Sequence, residues 1–253
     1  MAPIVSVRDL KKRYGRIEAV RGISFDVAEG EVFGLLGPNG AGKTTTVEIL
    51  EGLRPADSGS AMVAGIDVRR DPAAVKARIG VQLQSSAFPQ HLTAREVVEL
   101  FGIFYDRSVD GVALLDLVGL KDRAGQQQEK LSGGQRQRLS IATTLVNEPS
   151  IVFLDEPTTG LDPQARRNLW DLVRKIRERG SAVVLTTHYM DEAEILCDRV
   201  AIMDEGRILK LAPPRELIGE LLQGGFTKPV VQQQANLEDV FLALTGHELR
   251  EDA

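Results

Sequence analysis

The chain is poor in cysteine, tryptophan and histidine, with one, one and three among 253 residues, and aromatic residues make up only 5 %. The single cysteine, Cys197, excludes an internal disulfide framework and a four-cysteine zinc site. It reads as a small buried apolar residue. No window approaches the ~18 consecutive apolar residues that a membrane-spanning helix needs. The start, Met1-Ala2-Pro3-Ile4, lacks the basic patch and apolar stretch of a signal peptide, and the charged Asp9, Lys11, Lys12 and Arg13 follow too soon for one. A soluble, cytoplasmic chain is the expectation. Positive charge is not in surplus: 31 Lys+Arg against 36 Asp+Glu leave a net charge of -5. That argues against a general nucleic-acid binder. What is present, 43 % hydrophobic and 26 % charged residues, suits a globular protein of one large domain or two small ones.

Periodicity predicts an α/β fold. Val5, Val7 and Leu10, then Val20, Ile23, Phe25 and Val27, alternate as in antiparallel strands. Residues 31–36 form a short apolar run of the kind a buried strand gives, and 43–50 look helical. Strand signals follow at 61–68 and 79–83. From about 93 to 146 apolar residues recur every three or four positions, which predicts helices and no strand. Strands return at 151–154 and 182–185 around a helix at 164–179. Residues 200–203 and 208–211 flank Asp204-Glu205-Gly206 as a hairpin. Pro213 and Pro214 precede a last helical region, and Gln232-Gln233-Gln234 reads as a linker before 237–244. The expected architecture is a mainly parallel sheet, an N-terminal antiparallel β subdomain and an inserted α-helical subdomain at about 86–148. The domain is placed at 3–228 and a short tail at 229–253.

Three strings carry chemistry. Gly37-Pro38-Asn39-Gly40-Ala41-Gly42-Lys43-Thr44 fits G-x-x-x-x-G-K-[ST] between a strand and a helix. Its glycines let backbone N–H groups turn inward around a phosphate, and the helix adds its positive end. Lys43 would reach the β- and γ-phosphates, and the Thr44 hydroxyl would hold Mg²⁺. This marks a P-loop NTPase core. Asp155 and Glu156 end the apolar run 151–154, where ligands of parallel sheets gather. Asp155 suits a Mg²⁺ holder, and Glu156 a base for an attacking water. Leu131-Ser132-Gly133-Gly134-Gln135 precedes a helix, with Ser132 as its N-cap. A second anion site in the helical block implies service to another molecule's nucleotide.

With these strings in this order, residues 3–228 resemble the nucleotide-binding subunit of an ATP-binding cassette (ABC) transporter. The resemblance implies further roles. Tyr14 stacks on adenine, and Thr45 joins Gly37–Thr44 in binding the nucleotide. Gln84 senses the γ-phosphate, contributes to the Mg²⁺ site and meets the membrane subunit; Gln82, on the same strand face, is the alternative. Gly160-Leu161-Asp162 is the loop that crosses the dimer interface, and His188 is the switch histidine. Leu161–Arg167 with Trp170, and the tail string Leu237-Glu238-Asp239-Val240-Phe241, are similar to the drug-exporter branch that includes daunorubicin-resistance ATPases. Arg166 and Arg167 otherwise read as a solvated helix face. Glu51 stands where many relatives carry a hydroxyl residue, and the sequence assigns it no role.

The resemblance implies an ATP hydrolase with ATP and Mg²⁺, paired head to tail as a homodimer or with a second ABC subunit. It implies a separate integral-membrane permease for a drug-like or lipophilic cargo. The chain would then lie on the inner face of the cell membrane through that permease. No nucleic-acid partner is expected. A non-transport ABC ATPase acting on nucleic acid or ribosomes is the alternative. The 43–155 separation leaves no room for the long coiled coil of DNA-repair members, and only one cassette is present. A P-loop GTPase or kinase lacks support, since no Asn-Lys-x-Asp string occurs.

Overall fold

The computed structural model describes residues 2–82 and 88–227. Strands β1 (Val5–Tyr14) and β2 (Ile17–Val27) form an antiparallel ribbon. The seven alternating apolar residues of that stretch are all buried on it. Strand β3 (Val32–Leu36) and helix α1 (Lys43–Leu50) follow. Strands β4 (Ser58–Val63) and β5 (Ile66–Asp67) complete a four-stranded sheet in the order β2-β1-β4-β5. The single strand expected at 61–68 is therefore a hairpin. Ala64 and Gly65 both have positive φ, 50° and 76°, and turn the chain between the paired Val63 and Ile66.

After α2 (Pro72–Lys76), β6 (Ile79–Gln82) opens the second sheet. The helical block holds α3 (Ala94–Phe104), α4 (Gly111–Leu117) and α5 (Gly133–Thr144). Its long periodic stretch is cut into three by local caps. Thr93 and Glu96 form a capping box on α3, and Asp110 accepts from two backbone N–H groups to start α4. Among the described residues the block contains no strand, only an isolated bridge between Thr93 and Gln127. The chain then runs through β7 (Ile151–Asp155), α6 (Pro163–Glu178), β8 (Ala182–Thr187), α7 (Met190–Leu196), β9 (Arg199–Asp204), β10 (Arg207–Ala212) and α8 (Pro214–Gln223). The chain divides at 217/218 into two units, and α8 spans the division.

The six-stranded sheet has the order β10-β9-β3-β8-β7-β6, parallel except at β9–β10. Every residue of β3, β7 and β8 is buried. Both faces of these strands are covered, which is why they read as apolar runs instead of alternating. Val32, Val152, Leu154, Val183 and Leu185 face the helical side with α3–α6. Phe33, Ile151, Phe153, Ala182 and Val184 face α1 and the antiparallel sheet. Phe25 and Phe33 join the two sheets, their rings stacked at 5.2 Å. The carboxyl ends of β3, β7 and β8 come out side by side, and the functional strings lie there.

Candidate functional site

The turn from β3 into α1 is shaped by close backbone approach. A Cβ on Gly37 would strike the Met203 carbonyl of β9. Gly42 has φ 97° and lies against the Ala19 carbonyl of β2. Lys43, the first residue of α1, is buried and folds back over the turn. Its Nζ donates to the carbonyls of Gly37 at 2.8 Å and Pro38 at 3.1 Å, and lies 3.6 Å from Glu156 Oε1. The turn is thus held curled around a lysine; Gly37 N–H and Ala41 N–H are bonded to the Thr187 and Pro38 carbonyls, and the positive end of α1 is left for an anion.

Asp155 closes β7. Its Oδ1 accepts from Thr44 Oγ1 at 3.3 Å and from the Thr186 hydroxyl of β8. Glu156 follows with φ 46°, a left-handed backbone fixed by its N–H, which donates to the Thr186 hydroxyl at 3.0 Å and carbonyl at 3.2 Å. This turn directs the carboxylate back over the sheet. Oε1 faces Lys43, while Oε2 accepts from the Thr159 hydroxyl at 3.2 Å and lies 3.4 Å from His188 Nδ1. The imidazole is not aligned for a hydrogen bond there. A carboxylate held between a lysine and a histidine, next to a second carboxylate with a hydroxyl, can accept a proton beside an anion held in the turn.

A cavity of about 630 Å³ opens over this point. Tyr14, Asn39, Gly40, Lys43, Thr44 and Glu156 line it, as do Gly42 and Thr45. Gly37, Pro38, Ala41, Asp155 and His188 do not line it. Asp155 reaches it through Thr44, and His188 through Glu156. Tyr14, half-exposed at the end of β1, lies under Arg54 at 5.2 Å and near Lys12 Nζ at 5.7 Å. Sequence reasoning missed Ile17, Glu18, Ala19, Arg21 and Glu205, which also line the cavity. Arg21 N–H donates to the Gly206 carbonyl and Gly206 N–H to Ala41, so β2 and the β9–β10 hairpin brace the turn. No local pattern signals those contacts. A cavity of about 660 Å³ near Leu114, Leu117, Leu145 and Ile176 is larger but holds none of the expected residues.

Leu131–Gln135 is absent from the 630 Å³ cavity. Leu131 is buried, and Ser132 caps α5. Ser132 Oγ accepts from Gln135 N–H, and Gln135 Oε1 accepts from Ser132 N–H, a capping box the sequence reading left unnoticed. Gly133 has open space around it. A Cβ on Gly134 would lie 2.9 Å from that of Ala165, so this glycine lets α5 meet the start of α6. Gly160-Leu161-Asp162 leads into α6, where Asp162 is the N-cap and accepts from Ala165 N–H at 2.7 Å. Arg167 is exposed as expected, but Arg166 is not on a solvated face. Its guanidinium lies 4.6 Å above the Tyr189 ring and 3.4 Å from Asp191. Gln84 lies outside the described residues; Gln82 ends β6, buried beside Leu154.

Glu51 caps the far end of α1 and is buried. Burial, and then the charges of Asp155 and Glu48, push its carboxyl up to about 8. At neutral pH it is predominantly protonated and adds little negative charge beneath the site.

The sequence matches the ABC transporter family over residues 20–159. It is 41 % identical to the Nod factor export ATP-binding protein I of Ralstonia nicotianae, covering 85 % of this chain and 69 % of that one. It is 39 % identical to the linearmycin resistance ATP-binding protein LnrL of Bacillus subtilis (88 % and 73 %). It is 41 % identical to the daunorubicin resistance ATP-binding protein DrrA2 of Streptomyces coeruleorubidus (93 % and 74 %). Among solved structures it resembles the dimeric post-hydrolysis state of the cassette MJ0796 bound to ADP and Pi, with a TM-score of 0.75 and 28 % identity over 83 % of this chain and 99 % of that one. The chain belongs to the ABC transporter family, as one of its ATP-binding and ATP-hydrolysing cassettes.

Proposed function

We propose that this chain is the motor of an exporter, working as a head-to-tail dimer on a separate membrane permease. The observation that carries the reading is that, within one chain, the phosphate cavity does not include the Leu131–Gln135 string. Lys43, Thr44, Glu156 and Tyr14 line it, and none of Leu131–Gln135 does. The capped start of α5, open at Gly133, is free to serve a second copy or a paired ABC subunit. No helix among the described residues is long and apolar enough to cross a membrane; in this reading the transport path lies in a separate permease. Membrane association would come through it, with the helical block and the Gln84 segment as the docking side. The export and resistance names of the relatives support a drug-like or lipophilic cargo.

In this reading Tyr14 stacks on adenine, and the N–H groups of Asn39, Gly40 and residues 42–45 receive the phosphates. Lys43 exchanges the Gly37 and Pro38 carbonyls for β- and γ-phosphate oxygens. Glu156 accepts the proton of the attacking water, and His188 and Gln84 hold the γ-phosphate side. Ser132–Gln135 of the second subunit caps the γ-phosphate, and Gly160–Asp162 crosses the interface. Thr44 Oγ1 and Asp155 Oδ1, 3.3 Å apart, are a hydroxyl and carboxylate pair that suits Mg²⁺ shared with phosphate, with Gln84 as a further ligand. Bound there, the ion neutralises charge developing on the transferred phosphoryl group. Loss of the γ-phosphate would remove the contacts that close the dimer.

The test is Glu156→Gln. The variant is expected to bind ATP like the parent and to elute as a dimer in MgATP. Phosphate release should fall by about a hundred-fold or more, as for a lost general base. Parental turnover in this variant overturns the assignment.

A further inference from the structure

Glu192 lies on α7, four residues beyond His188, and is fully buried. Trp170 Nε1 of α6 donates to its Oε1 at 3.3 Å. The hydroxyls of Thr158, just before the interface loop, and of Thr187, just before His188, flank the carboxyl. An apolar side chain would fill this space without desolvating a carboxyl, so packing alone does not account for it. Four residues earlier on α6, Arg166 stacks on the Tyr189 ring, which in turn lies 4.2 Å from the His188 ring. Two rows of contacts therefore join α6 to residues 187–192. Helix α6 begins at Asp162, the end of the interface loop. Helix α6 therefore links that loop to the histidine segment.

We propose that Glu192 is a positioning residue of the hydrolytic site, locking α6 to the His188 segment so that the interface loop and the histidine move together. The proposal rests on the roles given above to His188 and the interface loop. It assigns Glu192 no contact with substrate. Trp170, the one tryptophan in the chain, is bonded to Glu192 and so reports on it directly.

The test uses full-length parent, Glu192→Gln, Trp170→Phe and the double variant, with ATP turnover and melting temperature measured for each. Trp170 emission is recorded on adding MgATP to the parent and to Glu192→Gln. Both single variants should lose kcat by about ten-fold or more, a typical result of misplacing a group at the chemistry. KM for ATP and melting temperature should stay near parental values, and the double variant should be no worse than the singles, because they break one unit. MgATP should shift Trp170 emission in the parent and not in Glu192→Gln. Parental kcat in both single variants, or the same emission shift in Glu192→Gln, overturns the proposal. The exporter reading fails on its own test, parental turnover in Glu156→Gln, and a parent that idles without its permease leaves the emission comparison to decide this proposal.

Discussion

At the scale of single residues, charge and burial pull in opposite directions around the phosphate turn. Lys43 is buried among oxygens and so is held for an anion before one arrives. Lys43→Ala removes a charge-assisted contact, and ATP affinity should fall by about 2–3 kcal/mol in a fluorescent-nucleotide titration. Unchanged affinity would remove its role. Glu51 is the opposite case, a buried acid that does not want its charge. Its folded pKa, about 8, lies above the ordinary glutamate value of 4.5. The folded state therefore holds the extra proton, and stability falls as pH rises from 4.5 to 8, at up to about 1.4 kcal/mol per pH unit. Glu51→Gln should remove that slope. Its melting temperature should exceed the parental one by more at pH 8 than at pH 5, and equal gains at both would refute the account. Lys43, Thr44, Asp155 and Glu156 were legible in the sequence because each lies in a short contiguous string. Glu51 was visible only as an oddity, because its pKa is set by packing around the far end of α1. Arg166 was misjudged because helical spacing alone cannot show that Tyr189 and Asp191 lie over it.

Elements were legible where their periodicity was long or their caps were local. The strands β3, β7 and β8 announced themselves as apolar runs because both faces are covered. The hairpin at Ala64-Gly65 was missed because a two-residue turn interrupts alternation too briefly to break a strand signal. The cap on α5 was half seen: Ser132 was expected there, and Gln135 as its reciprocal partner was not. That capping box gives Ser132 a structural task in a single chain, separate from any contact with a nucleotide. Ser132→Ala should therefore cost about 1 kcal/mol of stability in urea melts without nucleotide. Parental stability would show that the capping box contributes nothing. Residues 83–87, with Gln84, lie outside the described residues, so the choice between Gln82 and Gln84 is made on the resemblance alone.

The whole molecule poses the question of why one chain carries both a P-loop turn and a second glycine-rich helix start that does not line its cavity. The head-to-tail pair proposed above would answer it, because each cavity would then draw Lys43 and Glu156 from one subunit and Ser132–Gln135 from the other. The arrangement makes an arithmetical demand. Gly133 has open space around it and starts α5, so Gly133→Asp should fold normally. An acidic residue in the first turn even suits the helix dipole. Facing a γ-phosphate, the same charge repels, and this variant should lose ATP turnover. Lys43→Ala should lose it too, from the other half of the site. When the two inactive proteins are mixed, half of randomly formed dimers are heterodimers, and each contains one site with an intact Lys43 and an intact Gly133. Turnover should then recover to about a quarter of the parental value per chain, the share expected from isologous pairing at random. If each chain held a complete site, the mixture would be as inactive as its parts. Phosphate release measured across mixing ratios, with its maximum at equal amounts, separates the two cases.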